Sequence, residues 1–135
     1  MSANLSDFIG NLNEGFVSYC MVRLEGYGLS YSQYSFLEYL GTHPNCTPGE
    51  LSTALHADNG HTTRTVNKMI ECGMCTKQRQ TQDKRMYLIN LTPAGKKAYD
   101  EVADLYESWE EEMLKGLDES EKQVLYSLLR RLGQQ

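Results

Sequence analysis

Between Thr47 and Gly95 the chain carries helix-starting and helix-stopping signals so closely spaced that few architectures can accommodate them. Thr47-Pro48-Gly49-Glu50 has the form of a capping box: a threonine to accept from the amide three residues on, a proline at the first helical position, and a glutamate to reach back. Leu51 and Leu55 follow, then a helical pattern over residues 61–72 that Gly73 stops with a left-handed cap. Two short stretches, Cys75 to Arg79 and Arg85 to Leu91, flank Gln80-Thr81-Gln82-Asp83-Lys84 and predict a β-hairpin, in whose second strand Tyr87, Ile89 and Leu91 alternate with Leu88 and Asn90. Leu91-Thr92-Pro93-Ala94-Gly95 then opens a new helix. The order helix, turn, helix, hairpin, helix predicts a mostly α chain of α+β class, with a helix-turn-helix bearing a β-hairpin on its flank.

That order supplies what a winged-helix reader of duplex DNA requires. One helix braces, the next enters the major groove, and the hairpin reaches the flanking backbone or minor groove. The overall formal charge of −5 opposes a polyanionic partner until it is divided by segment. Residues 61–97 hold Arg64, Lys68, Lys77, Arg79, Lys84, Arg85, Lys96 and Lys97 against Glu71 and Asp83, a local +6 that leaves −11 elsewhere. The local field, rather than the net charge, governs phosphate binding.

On the expected recognition helix, a step of about 100° per residue gathers Thr62, Val66, Met69 and Ile70 on an inward side and His61, Arg64, Thr65 and Lys68 on a donor-rich outward side. Arg and Lys donate to guanine O6 and N7, and Thr meets a base edge or a thymine methyl. Thr63 and Asn67 lie at the margin, where phosphate contacts that set register are expected. Thr47, Lys77, Arg79, Asp83, Lys84 and Arg85 complete the candidate DNA-binding set, with the Asp83 carboxylate expected to orient the Arg85 guanidinium for a narrow groove.

The flanks are helical and apolar. Leu5, Phe8, Ile9, Leu12, Phe16 and Cys20 form a stripe that ends before Gly26 and Gly28, and a second helix, Ser32 to Thr42, turns Phe36, Leu37 and Leu40 inward. A long helix is expected from Thr92 to about Lys115, with Ala98, Val102, Leu105, Trp109 and Met113 on one side. After Gly116, Asp118 and Glu121 open a last helix bearing Val124, Leu125, Leu128, Leu129 and Leu132. These stripes exceed what a lone small reader can bury, so a homodimer is expected. Residues 1–30 and 96–135 would form the dimerisation region and residues 31–95 the DNA-binding domain.

Other chemistries leave weaker traces. No apolar run suggests a membrane span and the N-terminus lacks a signal-peptide layout, so a cytoplasmic protein with Cys20, Cys46, Cys72 and Cys75 as thiols is expected. Cys72-Gly73-Met74-Cys75, with His43 and Cys46, offers a rival reading as a thiol- or metal-responsive regulator. Against redox catalysis, a reactive CxxC thiol belongs at a helix N-terminus, whereas Cys72 falls near a C-terminus; nothing in the sequence brings residues 43–46 close to residues 72–75, so no metal site is assigned. Tyr19, Tyr27, Tyr31 and Tyr34 cluster with Arg23 and could stack on and pair with a small aromatic or anionic effector. His43, His56 and His61 have no matching nucleophile and acid, and no glycine-rich phosphate loop is present, so neither enzyme activity nor a cofactor is expected. A winged-helix module used only for protein contact or dimerisation is the remaining alternative.

Over residues 30–132 the chain resembles the multiple-antibiotic-resistance regulator (MarR) family of winged helix-turn-helix transcriptional regulators. The resemblance rests on Thr63-Arg64, Gly73, Asp83-Lys84-Arg85 and Leu91-Thr92-Pro93-Ala94-Gly95. It implies a homodimeric repressor held by its terminal helices on a pseudo-palindromic operator. The arginine matching Arg85 would enter the minor groove with the acid matching Asp83 in support, and DNA would be released when a small ligand binds. Thr62 stands where an aliphatic residue is usual, and Met69 and Met74 replace common leucines.

Overall fold

A computed structural model of the chain describes residues 2–83 and 85–133. They fall into two compact units, residues 1–103 and 104–135. In the first, α1 (Leu5–Glu25) opens on a reciprocal cap in which Asn4 and Asp7 each accept the other's amide at 3.0 Å, and the chain turns through Gly28 at φ 71°. α2 (Tyr31–Thr42) is opened by Ser30 and Gln33. The capping box expected at Thr47 opens α3 (Pro48–Ala54), its two bonds both 3.1 Å. α4 (Asn59–Glu71) begins two residues earlier than its sequence pattern suggests, because Asp58 accepts the His61 amide at 2.6 Å and so caps it.

The hairpin follows as β1 (Cys75–Arg79) and β2 (Tyr87–Leu91), antiparallel, with Cys75 opposite Leu91 and Arg79 opposite Tyr87. Its second strand also pairs with Cys46, which exchanges two backbone hydrogen bonds with Ile89 at 3.2 and 2.7 Å. Asn45 reaches that position in the left-handed region, φ 57°, and its amide and side chain bond Asn90 at 2.7 and 3.0 Å. Thr92 then caps α5 (Pro93–Glu101).

Leu24, Leu37, Leu51, Met69 and Ile89 are fully buried, one from each of α1, α2, α3, α4 and β2, so a single core fixes α4 against α1, α2, α3 and the base of the hairpin. Each such side chain contributes on the order of 1.5–3 kcal/mol relative to exposure. Two glycines mark where backbones close in. A Cβ on Gly95 would strike the Met74 carbonyl oxygen, and one on Gly41 would strike the Tyr99 ring, which seats α5 on α2.

The second unit holds α6 (Leu105–Leu114) and α7 (Glu119–Gly133), the latter opened by reciprocal bonds between Asp118 and Glu121 at 3.0 and 2.8 Å. The single helix expected from Thr92 to about Lys115 is thus two. The ladder breaks at residues 102–104, where Asp104 starts α6 and its carboxylate accepts from the Ser108 hydroxyl at 3.2 Å. The apolar stripe of α7 is uncovered, with Val124, Leu128, Leu129 and Leu132 each 49–56% exposed, as are Leu5, Phe8, Ile9 and Leu12 on α1 at 47–60%. No described helix is long and apolar enough to cross a membrane.

Candidate nucleic-acid interface

On α4 the inward side is Thr62, Thr65, Val66 and Met69, all at most 5% exposed. Thr65 was expected to face outward, and its burial corrects that expectation. Ile70 was expected at the edge of the apolar side, yet it is 37% exposed, so with Thr65 in its place the true faces are turned by roughly a third of a residue step. The outward side is therefore Gly60, Thr63, Arg64, Asn67, Lys68 and Glu71, which moves Asn67 from the margin to the middle and brings Thr63 onto its edge. His61 is half-buried, its ring edge-on to Phe36 with centroids 5.8 Å apart, so packing claims part of it. Thr63 donates its hydroxyl to the Asn59 carbonyl at 2.9 Å, which leaves its methyl and lone pairs outward.

Thr62 is accommodated in the core by a partner on the brace helix: the buried Ser52 hydroxyl donates to Thr62 Oγ1 at 2.8 Å. The bond ties α3 to α4 in the middle of the helix-turn-helix. Thr47, also expected to meet DNA, is half-buried with its hydroxyl accepting the Glu50 amide.

At the hairpin tip Asp83 accepts from the Arg85 backbone amide at 3.0 Å, not from its guanidinium as expected. The short acid closes an Asx-type turn and so shapes the loop that carries an exposed Arg85. Lys84 lies outside the described residues. Farther down the hairpin, the phenol oxygen of Tyr87 accepts from Arg79 Nη2 at 2.8 Å, with Lys77 Nζ 4.7 Å above the same ring. The bond and charge of Arg79 lower the Tyr87 pKa below its ordinary value.

An exposed donor-bearing helix and a cationic hairpin thus stand on one helical body. The sequence pattern of the MarR family matches residues 29–87. The HTH-type transcriptional regulator BilQ of Clostridium symbiosum is 35% identical over 120 residues, an alignment covering 89% of this chain and 83% of that one. The chain belongs to the MarR family. A MarR transcriptional regulator from Methanosarcina mazei superposes with a TM-score of 0.77 at 26% identity, covering 96% of this chain and 94% of that one. MepR of Staphylococcus aureus, solved as a complex with DNA, gives 0.81 at 18% identity over 97% of both chains, which bears on the fold alone. The protein is thus a DNA-binding transcriptional regulator with a winged helix-turn-helix, and not an enzyme.

The two other sites weighed from sequence have different outcomes. Cys72 and Cys75 face different surroundings: exposed Cys72 donates to the Gly28 carbonyl at 3.3 Å, while buried Cys75 points at the Val66 carbonyl at 3.9 Å. No group of three or more His, Cys, Asp or Glu among the described residues is placed to hold a metal ion. Burial pushes the Cys46 and Cys75 thiols up to about 11 and raises that of Cys20 as well. Such thiols are poor nucleophiles near neutral pH.

Of the tyrosine cluster, Arg23 donates to the Tyr19 hydroxyl at 3.3 Å and to the Glu101 carbonyl at 3.0 Å, so its charge ties α1 to the end of α5. Tyr31 packs edge-on against Phe16, with centroids 5.7 Å apart. A cleft of about 470 Å³ opens instead between α2 and α5. Of Tyr19, Arg23, Tyr27, Tyr31 and Tyr34, only Tyr34 lines it, beside Glu38, Tyr39, His43, Leu55 and Tyr99. Periodicity could not have found this cleft, because Tyr39 and Tyr99, which both line it, lie 60 positions apart, and α5 is seated on α2 by the close approach of Tyr99 to Gly41.

Proposed function

We propose that the protein is a cytoplasmic homodimeric repressor that grips a pseudo-palindromic operator and releases it when a small aromatic effector occupies the cleft between α2 and α5. The observation that carries this reading is the pairing, on one chain, of an exposed Thr63, Arg64, Asn67 and Lys68 face with exposed apolar stripes on α1 and α7. The terminal segments, residues 1–30 and 96–135, supply the subunit contact, since apolar surface of this extent is favourably covered by a second copy. Two-fold symmetry then sets two α4 helices on major-groove faces about one helical turn apart.

In this reading Arg64, Asn67 and Lys68 contact base edges and nearby phosphates, Thr63 reads a methyl or edge, and Arg85 enters the adjacent minor groove on the loop that Asp83 shapes. Lys77, Arg79 and Lys84 add backbone contacts. Thr47 and His61 play a supporting role at the helix starts. The cleft's formal charge comes from Glu38, and no Arg or Lys lines it. A neutral or weakly basic aromatic compound therefore fits it better than a carboxylate does.

Footprinting of genomic DNA recovered with the protein, followed by binding measured at several salt concentrations, tests the reading. Duplex affinity should fall steeply with salt. Arg85→Ala should weaken all sequences alike, and Arg64→Ala should cost about 1–3 kcal/mol and relax preference at one base pair in each half-site. Binding indifferent to salt and to both substitutions would refute it and favour a module for protein contact.

A further inference from the structure

The hairpin contains an ordered pair of cations that the tip arginine does not explain. Lys77 and Arg79 project from the face of β1 that also carries Cys75, and Cys75 points at Val66 of α4. Both cations therefore stand on the α4 side of the sheet, beyond the core. Tyr87 lies directly across from Arg79. Its ring has Lys77 Nζ 4.7 Å and Arg79 Cζ 5.4 Å from the centroid, and its oxygen accepts from Arg79 Nη2 at 2.8 Å. Among the described residues neither cation is paired with a carboxylate.

The choice of a phenol as the ordering group matters. A carboxylate would fix the two side chains but cancel their charge. A neutral ring with one hydroxyl acceptor fixes them and leaves both charges whole. Long cationic side chains otherwise lose considerable rotamer freedom when they clamp an anion, so holding them beforehand raises affinity without a new contact.

We propose that Tyr87 is a positioning residue for DNA binding: it presents Lys77 and Arg79 together as a clamp for one backbone phosphate beside the groove that α4 enters. This rests on the DNA-binding reading above. The lowered pKa of the phenol accords with two cations held close to it.

A labelled random-sequence duplex about three helical turns long is a suitable probe, because phosphate contacts are independent of sequence. Anisotropy titrations between roughly 50 and 200 mM salt give affinity and salt slope. Tyr87→Phe keeps the ring and loses the acceptor, so affinity should fall roughly three- to tenfold with the salt slope unchanged. Tyr87→Ala releases both cations and should cost more. Arg79→Gln should lower the slope by about one. In that background Tyr87→Phe should cost less than about twofold, since the group it positions is gone. Melting temperatures of Tyr87→Phe and Arg79→Gln should match wild type, while Tyr87→Ala, which also removes cross-strand packing, should melt somewhat lower.

Independent effects of Tyr87→Phe and Arg79→Gln, or no effect of Tyr87→Phe, would overturn the proposal while the wild type still binds DNA in a salt-dependent way. A wild type with no salt-dependent binding, unaffected by Arg64→Ala, would instead overturn the DNA-binding reading and this inference with it.

Discussion

The Ser52–Thr62 bond gives a prediction whose sign depends on which partner is removed. The two oxygens are 2.8 Å apart, and Ser52 and Thr62 are 7% and 1% exposed, so water cannot replace a lost partner. Thr62→Val keeps the shape of the side chain and strands the Ser52 hydroxyl, which should cost about 1–3 kcal/mol. Ser52→Ala strands Thr62 Oγ1 and should cost a similar amount. With both changes no polar group is left unsatisfied, so Ser52→Ala/Thr62→Val should lose less than the two single changes together, with a coupling of about 1–2 kcal/mol. For a chain of this length a loss of 2 kcal/mol lowers Tm by roughly 4–12 °C. Urea melts at one fixed protein concentration provide the assay, since the proposed dimerisation would make stability vary with concentration. Strict additivity in the cycle, or a Thr62→Val protein more stable than wild type, would refute the argument that this bond satisfies the core of the helix-turn-helix.

Gly41→Ala sets a methyl against the Tyr99 ring and should push α5 from α2, lowering stability by about 1–3 kcal/mol by chemical denaturation and changing effector affinity more than DNA affinity. The Cys46 and Cys75 thiols ionise near 11 when folded, against an ordinary value of 9.0. Between those values the unfolded chain binds fewer protons than the native one, so stability should fall as pH rises from 9 toward 11, and a Cys75→Ala variant should show a shallower loss in melts taken across that range. A thiol reagent at neutral pH should modify Cys72 rapidly and Cys20, Cys46 and Cys75 only at the rate of opening, measurable as a single fast equivalent.

What could be read from the sequence divides along a physical line. Boundaries written in local chemistry were visible: the Thr47 capping box, the proline start after Thr92, the Asp118–Glu121 cap and the stop at Gly73 all depend on residues within four positions of one another. The phase of α4 was not visible in this way. Threonine is compatible with either side of a helix, and with Thr62 and Thr65 ambiguous, the exposed Ile70 pulled the expected apolar side away from the core. The missing information lies in what packs on the helix, the Ser52 hydroxyl that accommodates Thr62 in the core among it.

The remaining features are pairings across long stretches of chain: Ser52 with Thr62, Asn45 with Asn90, Arg23 with the Glu101 carbonyl, and Gly41 with Tyr99. Periodicity describes which side of an element is apolar but carries no term for what stands opposite it. The Tyr87 clamp shows the consequence for function. Lys77 and Arg79 could be nominated as cations by composition alone, but whether they act as scattered charge or as one ordered site depends on the hairpin register that sets Arg79 opposite Tyr87. A slip of one residue would move Tyr87 to the opposite side of the sheet and return both side chains to solvent. The buried face of the hairpin, Cys75 with Ile89 and Leu91, holds that register, and the Gln80 amide extends it by donating to the Met86 carbonyl at 2.8 Å.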